Sequence, residues 1–207
     1  RLPADVLEKL EVIDFGGGFG IPYHKYEDQP RLDMDDLGSR LHGLISGWAE
    51  KTGYTGRFLV EPGRYVVAEC GVLLGSVNAT KTNGDRRYAG TDLGFNVLVR
   101  PAMYDSFHDI EIFRDGGEPD TDLVEQSIVG NICESGDILA KNRQLPLLHE
   151  GDVLGVLDAG AYGFVMSSSY NQRCRAAEIL IQADGSVRLI RRRETLEDLA
   201  ACYEGLL

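Results

Sequence analysis

The feature that most constrains this fold is a change of texture near residue 70. Before it, two short apolar runs flank a helical pattern; after it, many short runs alternate with turns. Val12-Ile13-Asp14-Phe15 stops at Gly16-Gly17-Gly18, and Phe58-Leu59-Val60 stops at Glu61-Pro62-Gly63-Arg64. Short apolar runs bounded by glycine suit buried parallel strands. Between them Leu37, Leu41, Leu44, Ile45 and Trp48 recur at helical spacing over residues 33–51. Asp33, Asp35 and Asp36 fall in the first turn, where the helix dipole favours acids, and Gly53 can close the last one. Strand–helix–strand order belongs to a parallel α/β sheet or barrel.

Two such units cannot close a (β/α)8 barrel. Residues 1–70 are therefore expected to be the last two units of a longer barrel, the alternative being an appendage packed on the β-domain that follows. The opening residues, 2–10, read as a helix already under way, so the chain is expected to be part of a longer protein.

From Gly71 onward the pattern is β. Strands are expected over 72–80, 86–93, 109–114, 127–133, 152–159, 176–182 and 186–194. Asn83-Gly84, Asp115-Gly116 and Asp184-Gly185 mark turns between them, the last a hairpin signal. Helical inserts are expected over 161–170 and 196–203. The fold class is mixed α/β and all-β: barrel units over 1–70, then a β-barrel or sandwich domain over 71–207.

The formal net charge of -12 argues against nucleic acid or an anionic membrane as partner. No apolar run reaches membrane length, and no signal peptide is expected. Cys70, Cys133, Cys174 and Cys202 form no CxxC pair and no zinc spacing, so no metal site is expected. Free thiols suit a reducing compartment, and a cytoplasmic protein is the expectation.

Five constellations could carry chemistry. Gly16 to Gly20 follows a strand, and bare glycines let backbone N–H groups point at a phosphate; a plain flexible loop reads the same way. Glu61-Pro62-Gly63-Arg64 ends the next strand, where side chains of a barrel face its active site; a surface turn is the alternative. Arg100 and Tyr104 stand at helical spacing, with His108 four residues on, and the Arg could grip a carboxylate. Cys133-Glu134-Ser135-Gly136-Asp137 places a thiol and two carboxylates around a glycine turn, with no partner for the thiol in the local sequence. Gly160-Ala161-Tyr162-Gly163 reads as the entry to a helix, whose N-terminus and Tyr hydroxyl could hold an anion.

Taken in order, VIDFGGGFGIPY, EPGRYVVAECG, RPAMYDSFH, CESGDILA and GDVLGVLDAGAYGFVMSSSYNQRCRAAEILI resemble the fold-type III pyridoxal-phosphate decarboxylases, most of all the diaminopimelate decarboxylase branch. The resemblance covers nearly the whole chain. It implies pyridoxal 5'-phosphate at the mouth of a (β/α)8 barrel, with Gly16, Gly17, Gly18 and Gly20 at the phosphate. It assigns Glu61 to the pyridine nitrogen, Gly63 and Arg64 to phosphate and substrate carboxylate, and Tyr162 to the phosphate. It places Arg100 and Tyr104 at the distal end of the substrate. Cys133 would be the proton donor and Glu134 a substrate contact, both reaching the neighbouring subunit's site in a homodimer with shared active sites.

The implied reaction is decarboxylation of meso-2,6-diaminopimelate to L-lysine. Related decarboxylases of ornithine, arginine, carboxynorspermidine or a carrier-bound amino acid are the alternatives, as is a non-catalytic dimerisation domain. Arg64 and Arg100 favour a substrate with two carboxylates. Three departures stand out. None of Lys9, Lys25, Lys51, Lys81 and Lys141 matches the strand context of the family's cofactor-binding lysine, so this chain alone is expected to bind the cofactor weakly and not to decarboxylate. Asn131 replaces the usual proline, and Thr91–Asn96 fits the family pattern loosely.

Overall fold

The computed structural model describes residues 3–203 and 205. It divides into two compact units, Arg1–Glu69 and Cys70–Leu207.

The first unit runs α1 (Ala4–Leu7), β1 (Val12–Asp14), α2 (Met34–Thr52), β2 (Arg57–Leu59) and α3 (Gly63–Val67). Leu2, at the start of the expected first helix, lies outside the described residues. Asp33 caps α2, its carboxylate accepting from the N–H groups of Asp35 and Asp36, and left-handed Gly53 ends it. Strands β1 and β2 pair in parallel, Ile13 opposite Phe58. The expectation of buried strands does not hold: neither strand contains a buried residue. Each has a single strand neighbour, and the cover comes from an aromatic cluster. Trp48 of α2 meets Tyr54 at 5.5 Å and Phe58 at 6.2 Å, and Phe58 stacks on Phe15 at 5.9 Å.

The second unit is a curled mixed sheet ordered β5-β8-β3-β4-β6-β7, with a separate hairpin. Its strands are β3 (Leu73–Asn83), β4 (Arg86–Thr91), β5 (Ile110–Phe113), β6 (Leu123–Val129), β7 (Ile138–Pro146) and β8 (Val153–Val156), and the hairpin is β9 (Glu178–Ile181) with β10 (Val187–Arg191). Helix α4 (Arg100–Tyr104) precedes β5, and α5 (Leu196–Ala200) follows β10. Only β4 and β6 pair in parallel; the other neighbours are antiparallel. Val77, Ala89, Leu98, Ile128, Leu154 and Val156 form the centre of the core. Burying each of the Val, Leu and Ile side chains among them contributes roughly 1.5–3 kcal/mol.

Four sequence expectations change here. Strand β7 adds to the expected set, because Lys141, Asn142 and Arg143 interrupt its apolar alternation and Asn142 is left-handed. The strand expected over 127–133 lies earlier, at Leu123–Val129, because the chain turns at Gly130. The insert over 161–170 is not an α-helix. It is a turn followed by 3-10 segments at Phe164–Met166 and Tyr170–Gln172, since left-handed Tyr162 and Asn171 cannot continue a helix. The terminal helix ends at Ala200, three residues short of the expected 203.

No helix among the described residues is long and apolar enough to cross a membrane. No group of three His, Cys, Asp or Glu among them could hold a metal ion.

Candidate functional site

In the first unit the two loops that end β1 and β2 are joined through their backbones. Phe15 donates its N–H to Leu59 at 3.0 Å, extending the parallel pairing, and Glu61 donates to the carbonyl of Gly16 at 2.8 Å. The Asp14 carboxylate accepts the N–H of Gly16 at 2.8 Å and turns the chain out of the strand. Gly17 sits so close to the second loop that a Cβ there would lie 2.8 Å from the Glu61 carbonyl oxygen. No side chain is tolerated without the loops parting.

Among the described residues, the N–H groups of Gly17, Gly18, Phe19 and Gly20 have no hydrogen-bond acceptor. Four consecutive amides beyond a strand end, three of them on glycine, suit a phosphate. Glu61 is exposed on the adjoining loop; Gly63 and Arg64 open α3, with the Arg64 guanidinium 5.8 Å from the Tyr23 ring centroid. The unit thus brings together Gly16, Gly17, Gly18, Gly20, Glu61, Gly63 and Arg64. Their donor set fits a phosphorylated pyridine: amides for the phosphate, a carboxylate for a ring nitrogen and a guanidinium for a carboxylate. Glu69 closes this unit's charges, accepting from Lys25 at 2.8 Å and from Arg31 at 2.6 Å. Those cations, Arg31 foremost, hold its carboxyl at about 2, well below the usual range.

In the second unit, Cys133 and Glu134 lie exposed on a turn built by Asp137. The Asp137 carboxylate is 4% exposed and accepts the N–H of Ile132 at 2.8 Å and of Phe95 at 2.6 Å. The backbone returns on itself, with Gly130 donating to the Asp137 carbonyl at 3.0 Å. The second carboxylate of the motif is therefore structural. Asn131 donates its N–H to Leu93 at 3.0 Å and its side-chain N–H to Asp92 at 2.9 Å. The first of these bonds is one a proline could not make. The Cys133 sulfur does have a partner, the Asn171 side-chain N–H at 3.3 Å, which no local sequence signal reveals because it lies 38 positions away.

Arg100 and Tyr104 share α4 but not an environment: Arg100 is 4% exposed and Tyr104 60%. His108 Nδ1 donates to the Leu157 carbonyl at 2.7 Å, so Nε2 accepts from Arg100 at 3.0 Å. Burial, then the charges of Arg100 and Arg143, push the His108 pKa down to about 4 and keep the ring neutral, against the opposing bond to Leu157. Tyr162 is 41% exposed and left-handed, at φ 58°. Gly163 packs its backbone on the Ala159 carbonyl next to it. An anion site at a helix N-terminus is absent here, since no helix begins at Tyr162; only the hydroxyl remains to serve that role.

Residues 64–160 match the C-terminal sheet domain of the pyridoxal-dependent decarboxylases. That stretch carries the family's C-terminal sheet domain. It is 47% identical over 194 residues to the diaminopimelate decarboxylase of Methanothermobacter thermautotrophicus, covering 92% of this chain and 44% of that protein. A crystal structure of diaminopimelate decarboxylase superposes with a TM-score of 0.84 at 37% identity, covering 95% of this chain and 49% of the other. The decarboxylase of M. jannaschii in co-complex with L-lysine gives 0.82 at 35% identity, covering 96% and 44%. The chain thus spans about half the length of the decarboxylases it matches, and the α/β unit followed by a sheet domain is the architecture it shares with them.

Proposed function

We propose that this chain forms part of a pyridoxal-phosphate-dependent decarboxylase that converts meso-2,6-diaminopimelate to L-lysine. The observation that carries the reading is the junction of Gly16 and Gly17 with Glu61, which sets four acceptor-free amides beside a carboxylate. The likeness to diaminopimelate decarboxylases over more than nine-tenths of the chain supports the substrate.

When bound, the cofactor supplies an electron sink for the pair left as carbon dioxide departs. The amides of Gly17 to Gly20 and the Tyr162 hydroxyl hold its phosphate. Glu61 keeps the ring nitrogen protonated, which strengthens that sink. Arg64 takes a substrate carboxylate. Arg100, with one nitrogen fixed by His108, and Tyr104 hold the distal end. Cys133 delivers the proton that replaces the lost carboxylate, and Glu134 contacts the substrate. The exposure of both on their turn suits delivery into the site of a second copy, so the active form is a homodimer with shared sites. Residues 1–69 serve as the last two units of a (β/α)8 barrel, and the cofactor-binding lysine belongs to the remainder of that barrel. The setting is the cytoplasm.

The test is carbon dioxide release by the gene-length protein with pyridoxal phosphate. Diaminopimelate is expected to exceed ornithine, arginine and carboxynorspermidine by about 100-fold in kcat/KM, the worth of one charged contact to the distal carboxylate. Turnover of one of those competitors in preference would overturn the substrate; no turnover of any would overturn the enzyme. The 207-residue chain alone is expected to release none.

A further inference from the structure

The Cys133 turn is held by residues that belong to no proposed contact with substrate or cofactor. Three segments meet there. Residues 92–98 arrive through Phe95, whose N–H reaches the Asp137 carboxylate at 2.6 Å. Residues 130–137 arrive through Ile132, whose N–H reaches the other oxygen at 2.8 Å. Residues 168–172 join by Tyr170 against Phe95, centroids 4.9 Å apart, by Ser168 donating its N–H to Asn96 at 2.8 Å, and by Asn171 on the Cys133 sulfur. The carboxylate sits where no neighbour can enlarge: a Cβ on Gly130 would lie 2.2 Å from an Asp137 oxygen. A buried carboxylate that accepts two amides from separate loops fixes both, and an amide in its place can accept at only one oxygen.

We propose that Asp137 is the positioning residue for Cys133: one carboxylate clamps two loops and so holds the thiol against Asn171. Gly130 is its steric complement. The catalytic consequence rests on the decarboxylase reading; the clamp itself rests on bond geometry alone.

The experiment has two arms. In the 207-residue chain, alkylation by iodoacetamide is followed cysteine by cysteine by mass spectrometry. Asp137→Asn removes one of the two acceptor oxygens and Gly130→Ala displaces the carboxylate, two routes to the same broken clamp. Each is expected to speed alkylation of Cys133 at least about 5-fold, with Cys70 and Cys202 within about twofold of the unmodified chain, because a thiol released from its turn meets reagent in more orientations. In the gene-length protein turning over in 2H2O, the same variants are expected to scramble the configuration of the deuterium that replaces the carboxylate. A merely destabilised fold would lower the rate without scrambling it.

An unchanged Cys133 rate in both variants would overturn the clamp, as would equal acceleration at every cysteine, which signals general unfolding. Faster Cys133 alkylation with deuterium still delivered to one face would leave the clamp standing and remove Cys133 as proton donor.

Discussion

Glu61 donates its backbone N–H to the Gly16 carbonyl at 2.8 Å, joining the loops that end two parallel strands. That bond makes neighbours of a glycine run and an acid that the sequence separates by a 19-residue helix and its flanking loops. It also fixes why Gly17 is bare, since the same Glu61 carbonyl occupies the place of a side chain.

Gly17→Ala is therefore expected to part the loops. Forcing a methyl into a gap of 2.8 Å costs about 1–3 kcal/mol of stability in the first unit. Cofactor affinity of the gene-length protein, read by absorbance titration, is expected to fall at least about 10-fold, the equivalent of 1.4 kcal/mol. Gly43→Ala in the middle of α2, where a Cβ meets nothing, is the control. It is expected to stabilise the helix by about 1 kcal/mol and to leave titration unchanged.

His108 gives the second unit a pH dependence of definite sign. Its folded pKa is lowered to about 4 from 6.5. As pH falls below about 6.5 the unfolded chain takes up a proton that the folded protein refuses until about 4. Stability is therefore lost across that window, on the order of 3 kcal/mol, and levels off below it. Glu69 acts in a different window. Its lowered pKa contributes stability above the ordinary 4.5 that is lost as pH falls toward about 2. Melting of the second unit followed by NMR is expected to show the step between pH 6.5 and 4, and His108→Gln to flatten it.

Asp152 anchors Arg114 by two bonds, at 2.8 and 2.9 Å, and also accepts the N–H of His149 at 2.8 Å. The carboxylate side chain is 2% exposed, so Asp152→Ala leaves a largely covered guanidinium without its main partner. A lowered unfolding midpoint in denaturant is expected, since the Arg114 guanidinium and the His149 N–H lose their shared acceptor. Asp120, which also reaches Arg114 at 3.3 Å, offsets part of that loss.

Arg100→Ala is expected to lower kcat/KM for diaminopimelate on the order of 100-fold, the loss of one charged contact. It also removes a charge that lowers His108, so the pH step described above is expected to shift upward. Unchanged kinetics with a shifted step would leave Arg100 a purely structural partner of the ring.

Much of this architecture is legible in the sequence. Helix α2 follows from its periodicity, the Asp33 cap and the Gly53 stop, all local. The hairpin turns at Asn83-Gly84 and Asp184-Gly185 are equally local. Strand β7 is hidden because tertiary pairing with β6 overrides a broken alternation, with Asn142 absorbing the irregularity through its bond to Ser127 at 3.0 Å. The absence of an α-helix after Tyr162 is hidden because nothing in the motif shows the left-handed backbone at that residue. The glycine loop and EPGR are legible as motifs, but the bond that joins them is not. Asp137 reads in sequence as one more carboxylate of a reactive turn. Only the distant Phe95 N–H reveals that both its oxygens are already committed.

The proposed function requires Glu61 at the ring nitrogen of a cofactor whose phosphate lies on Gly17 to Gly20. The direct measurement is the 15N resonance of ring-labelled pyridoxal phosphate bound to the gene-length protein, compared with Glu61→Gln. The expected result is a protonated nitrogen in the unmodified protein and a neutral one in the variant, with the phosphate resonance undisturbed. An identical ring-nitrogen shift in both proteins would contradict the account.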